Sequence, residues 1–303
     1  MMNQTFNTPI LFIIFNRPET TKRVFDEIRK VKPAQLFIAG DGPRENNNSD
    51  IEKCKITREI VGNIDWPCEI KTLFREKNLG CKTGVSSAID WFFQHVESGI
   101  ILEDDCLPNQ SFFPFCEELL TKYRNEEKIM MISGFNIHEI WKTDSSYFYS
   151  KYGSIWGWAT WNRAWKLYDV TMNSWFDEKN KKQIRKNIGK RWQWKIKEWS
   201  YNKTAKGEKD TWDYQWEYAR ILNSGLSIIP TYNLVKNIGI NIDATHSGNI
   251  ELSQIKTRNI EFPIVHTTIM QADENYDSLF IQKIFQPKTF FELVIIKLKK
   301  IFK

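Results

Sequence analysis

What most constrains this chain is a unit that recurs over its first 105 residues: a short apolar run, a charged or glycine-rich tip, then an amphipathic helix. Pro9-Ile10-Leu11-Phe12-Ile13-Ile14-Phe15 is apolar at every position. A strand with one wet face would alternate, so an unbroken run of this length belongs to a strand buried on both faces, as in a parallel sheet. Asn16-Arg17-Pro18 ends it, and Pro18 suits the first turn of a helix. Val24, Phe25, Ile28 and Val31 then recur at helical spacing. The unit repeats as a strand over 36–39 stopped by Gly40-Asp41-Gly42-Pro43-Arg44 and a helix over 51–62. Next come a strand over 69–74, the turn Asn78-Leu79-Gly80 and a helix over 83–96. A fourth strand, 99–102, runs directly into Glu103-Asp104-Asp105.

This alternation predicts an α/β fold, a mostly parallel central sheet flanked by helices. In open sheets of this kind ligands bind beyond the carboxyl ends of the strands. Three of the four strands end there in Asn16-Arg17, Asp41-Gly42-Pro43-Arg44 and Glu103-Asp104-Asp105. The second half is less regular. It predicts helices over 112–124, 176–206 (one basic, Trp-bearing segment), 210–222 and 290–302, with strands over 129–133 and 226–230. Residues 251–289 show no usable pattern. Beyond this strand–helix alternation there is no internal sequence repeat and no flexible linker, so the expected organisation is one catalytic domain over 1–250, in halves 1–110 and 111–250. A C-terminal extension, 251–303, ends in a basic amphipathic helix.

Composition narrows the class. The 303 residues are 41% hydrophobic and 26% charged, which excludes a disordered or collagen-like chain. No apolar run approaches the ~20 residues of a membrane span, and no secretory signal is read at the start, so a cytoplasmic protein is expected. The five cysteines form no C-x-x-C pair, which argues against a disulfide framework or zinc ribbon and leaves them as small buried hydrophobes. Eleven of the 13 tryptophans fall between Trp141 and Trp216. They read equally as a Trp-heavy core or as a wall for a flat ligand such as a sugar ring.

The net charge of +6 is concentrated. Residues 179–209 hold twelve Lys/Arg against Glu198 and Glu208, so the remaining chain is slightly acidic. That basic stretch reads as a solvated helical face, as a nucleic-acid surface through Trp192, Trp194 and Trp199, or as attraction to an anionic lipid-linked acceptor or membrane surface. A nucleic-acid module has no need of the acidic strand tip, so nucleic acid is not the expected partner. Residues 290–303, with an apolar stripe among four lysines, read either as an interfacial helix at the inner face of the membrane or as a helix packed on the core.

Glu103-Asp104-Asp105 is the sharpest chemical signal. Three adjacent acids repel unless a cation or hydrogen-bond donors offset them. Mg²⁺ or Mn²⁺ commonly shares such carboxylates with substrate phosphates. Strand alternation would put Glu103 and Asp105 on one side and Asp104 on the other. Asp41 reads as a turn residue or as a carboxylate gripping a base or ribose. Neither G-x-x-x-x-G-K-[ST] nor G-x-G-x-x-G occurs, which disfavours P-loop and dinucleotide folds. Asp210 and Asp213, in Asp210-Thr211-Trp212-Asp213, offer two acids in a Trp-rich setting, with helix capping as the alternative for both. Arg75 ends the third strand, with an ion pair to Glu76 or Glu103 as its plain reading. His246 lies in a loop and is either a surface residue or a ligand.

The pieces Phe15-Asn16-Arg17-Pro18, Asp41-Gly42-Pro43-Arg44, Asn78-Leu79-Gly80 and Ile101-Leu102-Glu103-Asp104-Asp105 resemble, in order and spacing, GT-A glycosyltransferases of the bacterial family-2-like kind. The Glu-Asp-Asp form resembles N-acetylglucosaminyltransferase I, and Trp156-Gly157-Trp158-Ala159-Thr160-Trp161 is similar to segments of bacterial sugar transferases. The resemblance spans residues 9 to about 250. It implies a nucleotide-diphosphate sugar donor, a UDP-sugar for preference, and a glycan or lipid-linked acceptor in surface polysaccharide synthesis. It also implies Asp41 and Glu103 at the nucleoside, Asp104 at the ribose or donor sugar, and Arg17 and Arg75 near the nucleotide. Asp105 and His246 would hold Mn²⁺ or Mg²⁺. An inverting enzyme needs a carboxylate base for the acceptor hydroxyl, for which Asp213 is the first choice and Asp210 the second. The competing functions are a nucleotidyltransferase or nucleotide-sugar hydrolase, and a non-catalytic carbohydrate- or nucleic-acid-binding protein.

Overall fold

In the computed structural model, which describes residues 6–239 and 250–285, the repeated unit builds one half of a sheet. β1 (Ile10–Ile14), β2 (Gln35–Gly40), β3 (Glu69–Phe74) and β4 (Ser98–Glu103) are all parallel, in the order β3-β2-β1-β4. They are joined by α1 (Pro18–Val31), α2 (Asn48–Gly62) and α3 (Gly80–Phe93). β1 lies at the centre and is buried almost throughout, whereas β3, at the edge, is half exposed. That difference is why β1 reads as an unbroken apolar run and β3 does not.

Beyond β4 the chain forms β5 (Cys106–Pro108), α4 (Phe112–Lys122), β6 (Ile129–Ser133), β7 (Tyr147–Ser150) and β8 (Trp158–Trp161). A short α5 (Asn162–Trp165) and a 3₁₀ turn (Asn173–Phe176) lead to α6 (Glu178–Ile188), α7 (Arg191–Ala205) and α8 (Asp213–Leu222). β9 (Leu226–Pro230), β10 (Val235–Asn237), α9 (Ile250–Ser253) and α10 (Glu274–Ile284) complete the described residues. The sheet continues past β4 as β8-β6-β9-β7, so its eight strands come from both sides of residue 110. β8 runs antiparallel to β4 and β6, β7 antiparallel to β9, and β6 parallel to β9. The architecture is thus α/β, with a mostly parallel central sheet between helical layers.

One expectation changes and two unassigned segments gain elements. The segment 176–206 is two helices, because Gly189 takes a positive φ of 80° and ends α6 after Ile188. Residues 158–161, dense in Trp and given no element from the sequence, are a strand at the middle of the sheet. Residues 251–285, which showed no pattern, carry α10, whose Tyr276, Phe280 and Ile281 pack with Phe148, Tyr152 and Ile229. The predicted helix over 290–302 lies outside the described residues.

The tryptophans resolve mainly as core. Trp158, Trp161, Trp175, Trp212 and Trp216 are fully buried, and Trp158, Trp165, Trp212 and Trp216 interlock with ring centroids 5.2–6.3 Å apart. This cluster fastens α8 to the sheet, and so fixes where the residues just before α8 stand.

Candidate active site

β1 is flanked by β2 on one side and β4 on the other, so the chain's direction of winding reverses between β1 and β4. A crevice opens beyond the carboxyl ends of strands at such a point. Register brings the strand ends level: Ile14 stands beside Gly40, and Ile13 beside Glu103. A cavity of about 570 Å³ lies above them. Its walls include Arg17, Asp41, Arg44, Arg75, Glu103, Asp104, Asp105, Asp210 and Asp213, so every predicted site residue among the described ones borders one cavity. His246 lies outside the described residues. A more open depression of about 740 Å³, bordered by Thr8, Ser98 and Glu117, sits at the opposite ends of β1 and β4 and holds none of them.

The acidic triplet is held by donors. Asp104 is buried; its Oδ2 accepts the Phe15 N–H at 2.9 Å. One guanidinium nitrogen of Arg17 reaches both Asp104 Oδ1 (3.3 Å) and Asp105 Oδ2 (2.7 Å). The expected alternation of Asp104 against Asp105 is therefore corrected. β4 ends at Glu103, the next two residues form a turn, and one cation meets both. Burial first, then repulsion from the neighbouring acids, raises the carboxyls of Glu103 and Asp104 above the usual range. Burial works to lower the Arg17 guanidinium, but Asp104, Asp105 and Glu103 outweigh it and hold it above its ordinary value.

β10 pairs with β5 and brings Gly239 against the triplet. A Cβ there would stand 2.4 Å from Asp105 Oδ2, so only glycine permits this approach.

The start of α3 uses two of the candidate acids. Asp41, stepping off β2, accepts the Leu79 N–H with both oxygens, at 3.1 and 3.0 Å, and the Gly42 N–H at 3.0 Å. Burial raises its carboxyl, while these N–H bonds and nearby Arg75 work against that rise. Asp210 accepts the N–H groups of Cys81 (3.2 Å) and Lys82 (3.0 Å), so it caps α3 across 128 residues of sequence rather than its own following helix. Gly80, at φ +77°, makes room, since a Cβ would lie 2.9 Å from Asp210 Oδ2.

Asp213 is the first residue of α8, and its Oδ1 accepts the Thr211 hydroxyl. Burial raises its carboxyl above the usual range, with the Thr211 bond working against the rise. Arg75 donates to Ser87 Oγ at 2.8 Å rather than pairing with Glu76 or Glu103.

Two wall residues were not singled out from the sequence. Arg44 grips buried Asp50 with Nε (2.6 Å) and Nη2 (2.9 Å), and Asn16 donates to the same carboxylate at 2.7 Å. This locks the tips of β1 and β2 together. The signal was present, as an Arg in a Gly-Pro tip beside an acid-bearing helix start, but the partner six residues on could have been any of several. Cys81 also corrects the reading of all five cysteines as buried. It is exposed at the cavity wall, and the enclosure of its thiol, then Glu103, Asp213 and Asp210, pushes that thiol up to about 12.

Trp156 is the one member of the tryptophan-rich segments, besides Trp212, that borders the cavity; it is braced edge-on by Phe135 at 4.6 Å. The sugar-wall reading thus narrows from a cluster to these two rings.

A metal would find Asp105 here, its side chain 15% exposed and paired with Arg17, rather than a cage. Among the described residues no three His, Cys, Asp or Glu side chains gather as ligands. Mg²⁺ and Mn²⁺ need only one or two carboxylates when diphosphate and water supply the rest, and a lone Asp105 fits that use.

No protein-family model matches this sequence, and no curated protein does. Among solved structures, the chain is similar to a UDP-glucose pyrophosphorylase complexed with UDP-glucose, at 8% identity and a TM-score of 0.40, over 82% of this chain and 96% of that one. It is similar to the 4-diphosphocytidyl-2C-methyl-D-erythritol synthase of Anaerococcus prevotii at 8% identity and a TM-score of 0.36, over 61% and 85%. HddC from Yersinia pseudotuberculosis aligns at 5% identity and a TM-score of 0.27 over 42% of this chain, which spans 57% of HddC's length. Likeness this distant carries nothing about activity.

Proposed function

We propose that this protein is a glycosyltransferase of the GT-A kind. It moves a sugar from a nucleotide-diphosphate donor, a UDP-sugar for preference, to a glycan or lipid-linked acceptor, with inversion. The observation that carries the reading is Asp213. A carboxylate with a raised proton affinity, at the first residue of α8, lines the same cavity as Arg17, Arg75 and the acidic triplet. In this reading residues 1–110 hold the nucleotide and 111–250 the acceptor.

The chemistry assigns each group a task. Asp41 and Glu103 meet the nucleoside, and Asp104, locked by Phe15 and Arg17, orients the ribose or donor sugar. Asp105, with His246 as a second candidate ligand, would hold Mn²⁺ or Mg²⁺, which supplies a Lewis acid for the departing diphosphate. Arg17 and Arg75 add fixed positive charge beside that diphosphate. Asp213 takes the proton of the acceptor hydroxyl as it attacks the anomeric carbon, and burial tunes it toward neutral operation. Asp210 is a positioning residue through its cap on α3.

Nucleotidyl transfer is the second reading, favoured by the three arginines Arg17, Arg44 and Arg75 that line the cavity, which suit a chain of phosphates. Product analysis separates the two. With Mn²⁺ and a UDP-sugar panel, release of UDP with glycosylated acceptor supports the proposal. Formation of UTP and sugar 1-phosphate on adding pyrophosphate overturns it in favour of nucleotidyl transfer.

A further inference from the structure

α7 turns two very different faces outward and inward. Inside, Gln193, Trp194, Lys197, Ser200, Tyr201 and Thr204 are buried. Lys197 donates to Glu217 of α8 at 2.7 Å and Tyr201 to the same carboxylate at 2.8 Å, which fixes the rotation of α7 on α8. Outside, that rotation exposes Trp192 (37%) and Trp199 (55%), two helical turns and so about 10.5 Å apart. Lys195 and Lys206 are exposed on the same stripe. Lys203 and Lys209 lie 4.6 and 5.3 Å from the centroid of the Trp199 ring. The preceding helix, α6, adds exposed Lys179, Lys182, Arg185 and Lys186.

We infer that this outer face of α7 is a docking surface for an anionic lipid bilayer, so that the acceptor of the proposed transfer arrives on a lipid. The inference rests on the glycosyl-transfer reading for the acceptor, but not for the surface. Charge complementarity selects the occupant. Seven of the twelve cations over 179–209 are exposed, against two acids in the same stretch, which suits a densely anionic sheet, and each Lys/Arg near such a surface strengthens binding by about fivefold. A bare sugar platform would leave the Trp199 ring face open, whereas here lysine ammonium groups occupy it. An indole ringed by lysines is the arrangement that sits at headgroup depth, its apolar body inward and its cations at the phosphates. The like-charged tail, residues 290–303, is not complementary to it. The stripe also runs toward the reaction centre. Lys209 precedes Asp210, stands 4.0 Å from the Tyr214 ring centroid and interacts with Asp213.

The test uses the full chain and sucrose-loaded vesicles of phosphatidylglycerol and phosphatidylcholine against phosphatidylcholine alone. Wild type should sediment with the anionic vesicles and stay in solution with the neutral ones. Lys195→Glu with Lys206→Glu should weaken partitioning at least about 25-fold, and Trp192→Gln with Trp199→Gln should also lower it, with UDP binding and melting temperature unchanged. Partitioning that survives both pairs overturns the surface, as does wild-type binding to single-stranded oligonucleotide with none to vesicles. Vesicle binding through α7 in a protein that binds no nucleotide supports the surface while sinking the glycosyl-transfer reading.

Discussion

At the scale of single residues, the pairing of Arg17 with Asp104 and Asp105 is the feature with the clearest consequences. Arg17 has a side chain 40% exposed, so its loss costs less than that of a fully buried partner. Arg17→Ala should lower stability by about 1–2 kcal/mol, measured by urea unfolding, because buried Asp104 loses its charge partner. The same variant should gain more melting temperature from Mn²⁺ than wild type does, since a divalent ion then has no competing cation beside Asp105. Asp105→Ala should keep the fold and lose metal-dependent nucleotide binding. An Asp105→Ala protein that binds UDP in Mn²⁺ with unchanged affinity removes Asp105 from the metal role. The sequence made the triplet visible through its position after 99–102. It could not show that a guanidinium already offsets the charge, because Arg17 is distant in sequence and only the pairing of β1 with β4 brings it there.

At the scale of elements, two carboxylates act on helix and strand ends, and their effects are separable from chemistry. Asp210→Ala removes a cap from α3 and should cost about 1 kcal/mol of stability. Donor binding should weaken with it, because the Asn78-Leu79-Gly80 turn borders the cavity. Asp50 is the second case. Its bonds from Arg44, then from Asn16, hold its carboxyl down at about 2 despite burial. A folded-state value below the unfolded ~3.9 means this group stabilises the fold above that value and loses the contribution as pH falls toward 2. Asp50→Asn should therefore be less stable than wild type by about 1–2 kcal/mol at pH 7, with the gap closing between pH 4 and 2 in urea titrations. A gap independent of pH would assign the loss to shape rather than charge. The elements that escaped sequence reading have physical reasons. β7 and β8 are four-residue strands rich in Tyr, Phe and Trp, buried on every residue, and too short to show a pattern. α10 attaches through one short face, Tyr276, Asp277, Phe280 and Ile281, where a buried acid bonded to Ser150 interrupts the apolar pattern.

At the scale of the whole molecule, the site exists only because the two halves of the sheet share one edge of a cavity. β1 to β4 and the tips that follow them supply Arg17, Asp41 and the triplet, and the tryptophan cluster seats α8 so that Asp213 borders the same cavity. The first half was legible because strands buried on both faces announce themselves as apolar runs. The second was legible in pieces: α4, β6, α8 and β9 stand where the sequence predicts them, and Asp213 opens the helical pattern of α8, but the strands that join the halves did not show. Asp213 also provides the measurement that most sharply divides the candidate reactions. A hydroxyl nucleophile must lose a proton as it attacks, so a glycosyltransferase needs a base at that point. A phosphate nucleophile arrives ionised and does not. Asp213→Asn keeps the shape and the Thr211 contact while removing the basicity. If a hydroxyl acceptor is used, kcat should fall by about 10²–10⁴ with donor affinity retained, the mark of an interaction made in the transition state. Asp210→Asn, which keeps an acceptor oxygen for the α3 cap, should stay within about tenfold of wild type. The reverse pattern would move the base to Asp210. Near-normal rates in both would leave the hydroxyl without a base from this segment and favour either a retaining mechanism or nucleotidyl transfer, which the products already distinguish.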